Sequence, residues 1–129
     1  MDDMTIKPSY EEINISSLPK TEREILLINS LVEIADHLGD DLQNPLSLSL
    51  LCLTFGVSGE QQSRILAEFN EIANKTSLQD MNLTLFIDVI IKHCKHASDF
   101  SELVFIAFIK ASAKFYVPNL YPFAMSLII

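Results

Sequence analysis

The sequence predicts an all-α protein, a single-domain bundle of five or six helices with a central corner at residues 45–74. About half of its 129 residues are hydrophobic (49%), whereas it has only three glycines and five prolines. This composition favours helices over a turn-rich β fold. Apolar residues recur with the 3.6-residue period of amphipathic helices, and a chain of this length can bury one core. We predict an N-terminal arm, residues 1–18, packed on one helical domain, residues 19–129.

The first predicted helix begins at Thr21, because Thr21-Glu22-Arg23-Glu24 has the pattern of a capping box. The apolar stripe of this helix consists of Ile25, Ile28, Leu31, Val32, Ala35 and Leu38. Gly39 is expected to end it, since glycine commonly follows the last turn of a helix.

The central corner consists of two predicted helices joined at Gly56-Val57. Asn44-Pro45 is a favourable start for the first of them, with Asn44 as N-cap and proline at the first helical position. Glycine can close this helix in the left-handed conformation, and the valine can fold back onto its last turn. Ser58 and Gln61 form a capping-box pattern that begins the second helix, residues 59–74.

Part of the corner resembles bacterial helix-turn-helix regulators. The resemblance covers about twenty residues: the small Cys52, the turn Gly56-Val57-Ser58, and Ser63-Arg64-Ile65-Leu66 in the position of the recognition helix. It implies DNA binding by helix 59–74 through Gln61, Gln62 and Arg64. The sequence departs from the family pattern at Gln62, where the family usually buries an aliphatic residue.

The charge of helix 59–74 argues against DNA binding. Glu60, Glu68 and Glu71 oppose Arg64 and Lys75, so three acids face two bases and the net charge is −1. Affinity for DNA depends strongly on neutralising phosphates. An ordinary αα-corner, in which glycine at the turn is common, is therefore the favoured interpretation, and DNA binding is kept as the alternative.

Three further helices are predicted after the corner. A helix is predicted over residues 77–94. Its body, residues 81–91, fits the strand period and the helix period equally well, and the length of the whole segment favours a helix. The next helix, residues 100–116, has almost no polar face, so it must be central or covered by a second subunit. A closing helix, residues 120–129, ends in three apolar residues that either dock into the core or complete an interface. We favour a dimer contact.

The sequence contains few residues that suggest catalysis. Cys52 and Cys94 lie in apolar helical contexts, which is typical of buried free thiols. His93 and His96 could share one helical face, but two ligands are too few for zinc. We predict no metal and no cofactor, and nucleotide-binding, hydrolase and calcium-binding motifs are absent. An enzyme is the least favoured function; its site would lie around these histidines and Lys110.

The acidic residues are concentrated near the N-terminus. The net charge is −8, and residues 1–41 carry ten acids against three bases. Such an asymmetric field assists solubility and steers basic partners. With no apolar run long enough to span a membrane and no signal peptide in the sequence, we expect the cytoplasm.

These observations predict a small acidic protein that acts by binding another macromolecule. Inhibitors, antitoxins, immunity factors and phage-encoded modulators include proteins of this kind, although the comparison is one of class only. We expect a homodimer and a protein partner of unspecified identity. The residues predicted to contact a partner are Glu11, Glu12, Asp40, Asp41, Phe123, Leu127, Ile128 and Ile129.

Overall fold

The computed structural model describes residues 17–127, and all regular structure in this range is helical. Six α-helices occur in the order α1 (Lys20–His37), α2 (Leu48–Phe55), α3 (Gly59–Lys75), α4 (Leu83–His93), α5 (Glu102–Phe115) and α6 (Tyr121–Ser126). Short 3₁₀ turns occur at Leu78–Asp80, Lys95–Asp99 and Pro118–Leu120. The predicted all-α bundle is confirmed.

Helix α5 is the centre of the bundle. Nine of its 14 residues are buried, so its apolar faces are covered within the chain. Beside it, Phe86 of α4 contacts Phe69 of α3 edge-on and stacks on Phe123 of α6, with both pairs of ring centroids 5.1 Å apart. These aromatic contacts join three helices into one core, to which α1 contributes no residue.

The start of α1 differs from the prediction. Pro19 is the N-cap and makes no side-chain capping hydrogen bond, and its carbonyl accepts the first helical bond from the Arg23 amide at 3.0 Å. Thr21 therefore lies inside the first turn, and the predicted capping box does not form. Gly39 follows the helix with φ +90°, as expected of a terminating glycine.

The start of α2 is also later than predicted. Its N-cap is Ser47, whose hydroxyl accepts a hydrogen bond from the Leu50 amide at 3.1 Å. Asn44 and Pro45 lie in the preceding loop, where the Asn44 side chain accepts a hydrogen bond from Lys114 of α5 at 2.9 Å. A tertiary contact thus uses the side chain that the sequence suggested as a cap.

The turn of the corner forms as predicted. Gly56 adopts the left-handed conformation with φ +75°, and the amide of the buried Val57 donates to the Cys52 carbonyl at 2.8 Å. The capping box is complete, because Ser58 accepts from the Gln61 amide at 3.1 Å and the Gln61 side chain accepts from the Ser58 amide at 2.9 Å. The chain therefore reverses without a longer loop.

The segment with two possible periods is helical, as its length predicted. Helix α4 begins after Asn82, whose side chain accepts from the Leu85 amide at 3.2 Å, whereas residues 78–80 form only a 3₁₀ turn. Helix α6 has six residues, and Phe123 on it is buried in the core. Leu127 packs half-buried against the same core. The described part of the C-terminal segment thus docks onto its own chain.

Candidate interaction surface

Helix α1 is apolar yet almost uncovered. None of its residues is buried, and the exposed fractions of its large apolar side chains run from 39% to 59%. The exposed apolar residues of the helix, with its C-cap, are Ile25, Leu26, Leu27, Ile28, Leu31, Val32, Ile34 and Leu38. Scattered exposed apolar residues are common on soluble proteins, but a contiguous set of this size marks an interaction site.

The apolar residues of α1 form two adjacent rows. Leu27, Leu31, Ile34 and Leu38 follow one another at intervals of four, three and four residues. Ile25, Ile28, Val32 and Ala35 follow at intervals of three, four and three. Each row has the spacing of a helix-packing seam. A helix with two neighbouring seams is suited to packing against two other helices, and about half of its circumference is apolar.

Within residues 17–127, the C-terminal half of α1 and helix α2 together line two grooves. Ala35 of α1 and Leu50 of α2 line both of them. One groove has a volume of about 360 Å³ and includes Val32, whereas the other has about 340 Å³ and includes Ile34. We call the exposed apolar residues of α1 together with these two grooves the α1–α2 surface.

Charge is unevenly distributed along this surface. Glu33, Asp36, Asp40 and Asp41 lie in and just after the C-terminal half of α1, and Asp36, Asp40 and Asp41 line the larger groove. The bases of the helix, Lys20 and Arg23, lie in its first turn together with Glu22 and Glu24. One end of the surface is therefore strongly acidic, and the other end carries balanced charge.

Asp40 and Asp41 also shape the loop that leads to α2. Asp41 accepts hydrogen bonds from the amides of Gln43 and Asn44 at 2.9 and 2.7 Å. Asp40 accepts from the Leu46 amide at 2.7 Å. These two predicted partner-binding residues thus lie at the rim of a groove and hold that rim in place.

Phe123 and Leu127, two further predicted partner-binding residues, do not join the α1–α2 surface. Phe123 is 6% exposed, and Leu127 is half-buried against the core. The predictions for Glu11, Glu12, Ile128 and Ile129 fall outside the described range of residues 17–127. The sequence signal for the surface was present in the stripe of the first helix, but a stripe does not show whether its own chain covers it.

The residues of the DNA-binding alternative are only partly available. Gln61 is half-buried and engaged in the capping box, and Gln62 is half-buried beside Phe108 of α5. Arg64 is exposed and paired with Glu60 at 2.6 Å. The alternative calls for exposure of all three side chains, and of these Arg64 is exposed whereas Gln61 and Gln62 are half-buried.

The two candidate metal-binding histidines make hydrogen bonds to different helices. His93 and Lys92 both contact the Glu68 carboxylate of α3, Lys92 at 3.1 Å. His96 instead lies beside α2, where its Nε2–H donates to the Phe55 carbonyl at 2.9 Å. Among residues 17–127 no three His, Cys, Asp or Glu side chains converge as metal ligands. The histidines connect helices, and Lys110 is half-buried on α5.

Glu68 is held in its charged form by this arrangement. The hydrogen bond from His93 is the largest cause that lowers the pKa of the Glu68 carboxyl, and Lys92 adds a smaller contribution in the same direction. The ion pair is partly shielded, since the Glu68 side chain is 29% exposed. This interhelical ion pair is therefore expected to contribute more to stability than the exposed ion pairs within α3.

We predict that Glu68→Gln lowers the free energy of unfolding by about 1 kcal/mol at neutral pH. Because the pKa of Glu68 in the folded protein lies below its ordinary 4.5, the stabilisation is present above that pH. It is lost as pH falls through the lower folded value. Urea unfolding as a function of pH should show the two proteins converging below pH 4.5.

Glu71→Gln is the matched control for this prediction. Glu71 pairs with Lys75 at 2.9 Å on the same helix, but its side chain is 60% exposed. Its removal is expected to change stability by less than about 0.5 kcal/mol. A Glu68→Gln difference that stays constant into strongly acidic solution contradicts the assignment.

Comparison with protein-family models, with curated proteins and with solved structures finds no significant match. Within residues 17–127, no helix combines the length and the apolar character that a membrane span requires.

Proposed function

We propose that this protein is a small acidic protein-interaction module that binds another protein chain through its α1–α2 surface. The observation that carries the proposal is that α1 has apolar residues over half of its circumference and buries none of them. An isolated helix gains most of its stability from packing its apolar face. A helix that the rest of residues 17–127 leaves open is best explained by a partner.

The chemistry of the surface supports a protein as its occupant. The grooves beside α1 are lined mainly by aliphatic side chains, which suits an apolar helix laid between α1 and α2. The acids at one end disfavour nucleic acid and any partner that brings its own acidic side chains against that end, because like charges repel. Apolar contact supplies affinity at such a surface, whereas the acids select the partner and its orientation.

The functional class is proposed by analogy from size and charge. Inhibitors, antitoxins, immunity factors and phage-encoded modulators include small acidic helical proteins, and a net charge of −8 steers basic partners toward the chain. The free thiols Cys52 and Cys94 fit a reducing compartment such as the cytoplasm. The DNA-binding alternative lacks comparable support, because Gln61 and Gln62 are half-buried.

The test compares capture by the native protein and by a double variant, Leu31→Glu with Ile34→Lys. These residues are 52% and 59% exposed, so the variant should fold normally. One added acid and one added base leave the net charge unchanged, while the centre of the apolar surface is lost. In native-source lysate, we expect the native protein to bind a protein chain and the double variant to lose at least about tenfold in affinity, or 1.4 kcal/mol.

The control is Leu78→Glu with Met125→Lys, which makes the same chemical changes at residues 54% and 44% exposed outside α1. It should retain binding. Circular dichroism and urea unfolding must show that both double variants fold. If the control loses binding as fully as the α1 variant, or if the native protein binds neither itself nor another protein, the proposal is wrong.

A further inference from the structure

The α1–α2 surface sets specific requirements for the chain that covers it. The apolar rows of α1 and the grooves beside them call for an apolar helix of similar length. The acids Glu33, Asp36, Asp40 and Asp41 call for basic side chains at one end of that helix and not at the other.

Helix α1 itself meets these requirements. It is apolar over half of its circumference, and its basic residues, Lys20 and Arg23, lie only in the first turn. Its acids at the opposite end have no base among them other than His37. The surface and the helix that it needs are therefore present on the same chain.

We propose that the α1–α2 surface binds a second copy of this chain, with the two α1 helices antiparallel. The inference rests on the proposed function, since it names the occupant of the same surface. Antiparallel pairing places the charge-balanced first turn of each copy, where Lys20 and Arg23 accompany Glu22 and Glu24, beside the acidic end of α1 in the other. Parallel pairing brings both acidic ends together, so it is disfavoured by repulsion.

The exposed area is sufficient for a stable dimer. The seven large apolar side chains of the two rows, all those exposed on α1 except Leu26, are roughly half exposed and present on the order of 700 Å² per chain, which is close to what one partner contributes to an interface of standard size. A two-fold axis uses the same patch on both copies, so nothing beyond this surface is required. The 18 residues of α1 extend about 27 Å, which is long enough for contact over several turns.

The two rows of α1 explain why one chain alone leaves the helix open. In the dimer, one row packs along α1 of the second copy, and the other row faces α2 helices. The four helices, α1 and α2 from each copy, then form an antiparallel bundle in which the grooves are filled. Within one chain α2 has only eight residues and covers part of one face of α1.

Sedimentation equilibrium of the full-length native protein at tens of micromolar tests the occupant. We expect a mass of twice the 14.5 kDa of one chain, with dissociation on dilution. Leu31→Glu with Ile34→Lys should sediment as one chain at concentrations where the native protein is dimeric. The control Leu78→Glu with Met125→Lys should remain a dimer.

Charge reversal tests the orientation. Lys20→Glu with Arg23→Glu is expected to weaken the dimer at least tenfold, because antiparallel pairing then joins acid to acid. A second variant, Glu33→Lys with Asp36→Lys, should form a homodimer that is weakened less than that of the first variant. The two substitutions reduce the acidic charge at the C-terminal end of α1. Mixing the two variants should give a heterodimer at least tenfold tighter than the first variant alone, because both ends of the antiparallel pair then join opposite charges.

The outcomes separate this inference from the proposed function. A single-chain mass together with capture of another protein through Leu31 and Ile34 overturns the second copy as occupant but leaves the interaction surface in place. A single-chain mass with no captured protein overturns both. A dimer that is indifferent to the α1 double variant overturns the location, and a dimer without preferential mixing of the charge-reversed chains overturns the antiparallel orientation.

Discussion

Replacing Phe86 by alanine is expected to lower the free energy of unfolding by about 3–5 kcal/mol. The side chain is fully buried, and its ring lies between those of Phe69 and Phe123 at centroid distances of 5.1 Å on both sides. Removal leaves a cavity where three helices meet and deletes two aromatic contacts. Because small domains are typically stable by about 5–15 kcal/mol, urea unfolding should show a large shift of the midpoint.

Phe115→Ala is the control for the size of the effect. The chemical change is the same, but Phe115 is 46% exposed at the end of α5. Its loss should cost no more than about 1 kcal/mol, since less apolar area leaves the protein interior and no closed cavity forms. Similar costs for the two variants contradict the assignment of Phe86 to the centre of the core.

The corner could be predicted because short-range backbone and capping interactions determine it. The central helix could be predicted because nearly all of its residues are apolar. The turn at Gly56 requires only that this residue adopt a positive φ, which glycine does readily. Ser58 and Gln61 form the capping box within one turn, so the start of α3 does not depend on a distant residue. Helix α5 has nine buried residues because its run of apolar side chains leaves no face for water. In such segments local preference and tertiary packing agree, and the sequence pattern is sufficient.

The helix starts that were misplaced had competing signals of similar strength. Asn44 and Ser47 are both favourable caps three residues apart. Asn44 is instead occupied by a hydrogen bond from Lys114, 70 residues further along the chain, and Ser47 caps the helix. A contact between residues so far apart in the sequence cannot be predicted from the residues around Asn44 alone.

The candidate surface could be predicted only in part, for a physical reason. The periodicity of Ile25–Leu38 identifies an apolar face but not what lies against it. Phe123 illustrates the same limitation, because the sequence does not show that its ring stacks on Phe86 and is only 6% exposed. Helix α1 and the C-terminal segment are both apolar, but only the C-terminal segment packs into the core. The choice depends on the space left by the other helices, which is a property of the whole fold.

A thiol and an imidazole lie together where the helices α2 and α4 end. Cys94 Sγ is 3.4 Å from His96 Nδ1, and because Nε2–H of that histidine donates to the Phe55 carbonyl, Nδ1 is the ring nitrogen that faces the thiol. In a catalytic pair the cysteine has a lowered pKa and some exposure. Here burial raises the pKa of Cys94, which is fully buried, so the arrangement keeps the thiol protonated.

Cys52 is expected to react with iodoacetamide about 1000-fold more slowly at pH 8 than an ordinary thiol. Burial, with a smaller contribution from the nearby Cys94, raises the pKa of Cys52 from 9.0 to about 12. Only the thiolate is nucleophilic, and each unit of pKa reduces its population tenfold. Because the side chain is also only 3% exposed, restricted access slows the reaction further.

The reference for this rate is a thiol placed in the same protein at an open position, Leu78→Cys, where the native leucine is 54% exposed. Mass spectrometry of the alkylated peptides then compares Cys52, Cys94 and the added cysteine in one sample. In urea all three should react at similar rates, because unfolding removes the burial that distinguishes them. Native Cys94 reacting as fast as the added cysteine would reveal an activated nucleophile beside His96 and would restore the enzyme alternative; slow reaction of both native thiols is the result that burial requires.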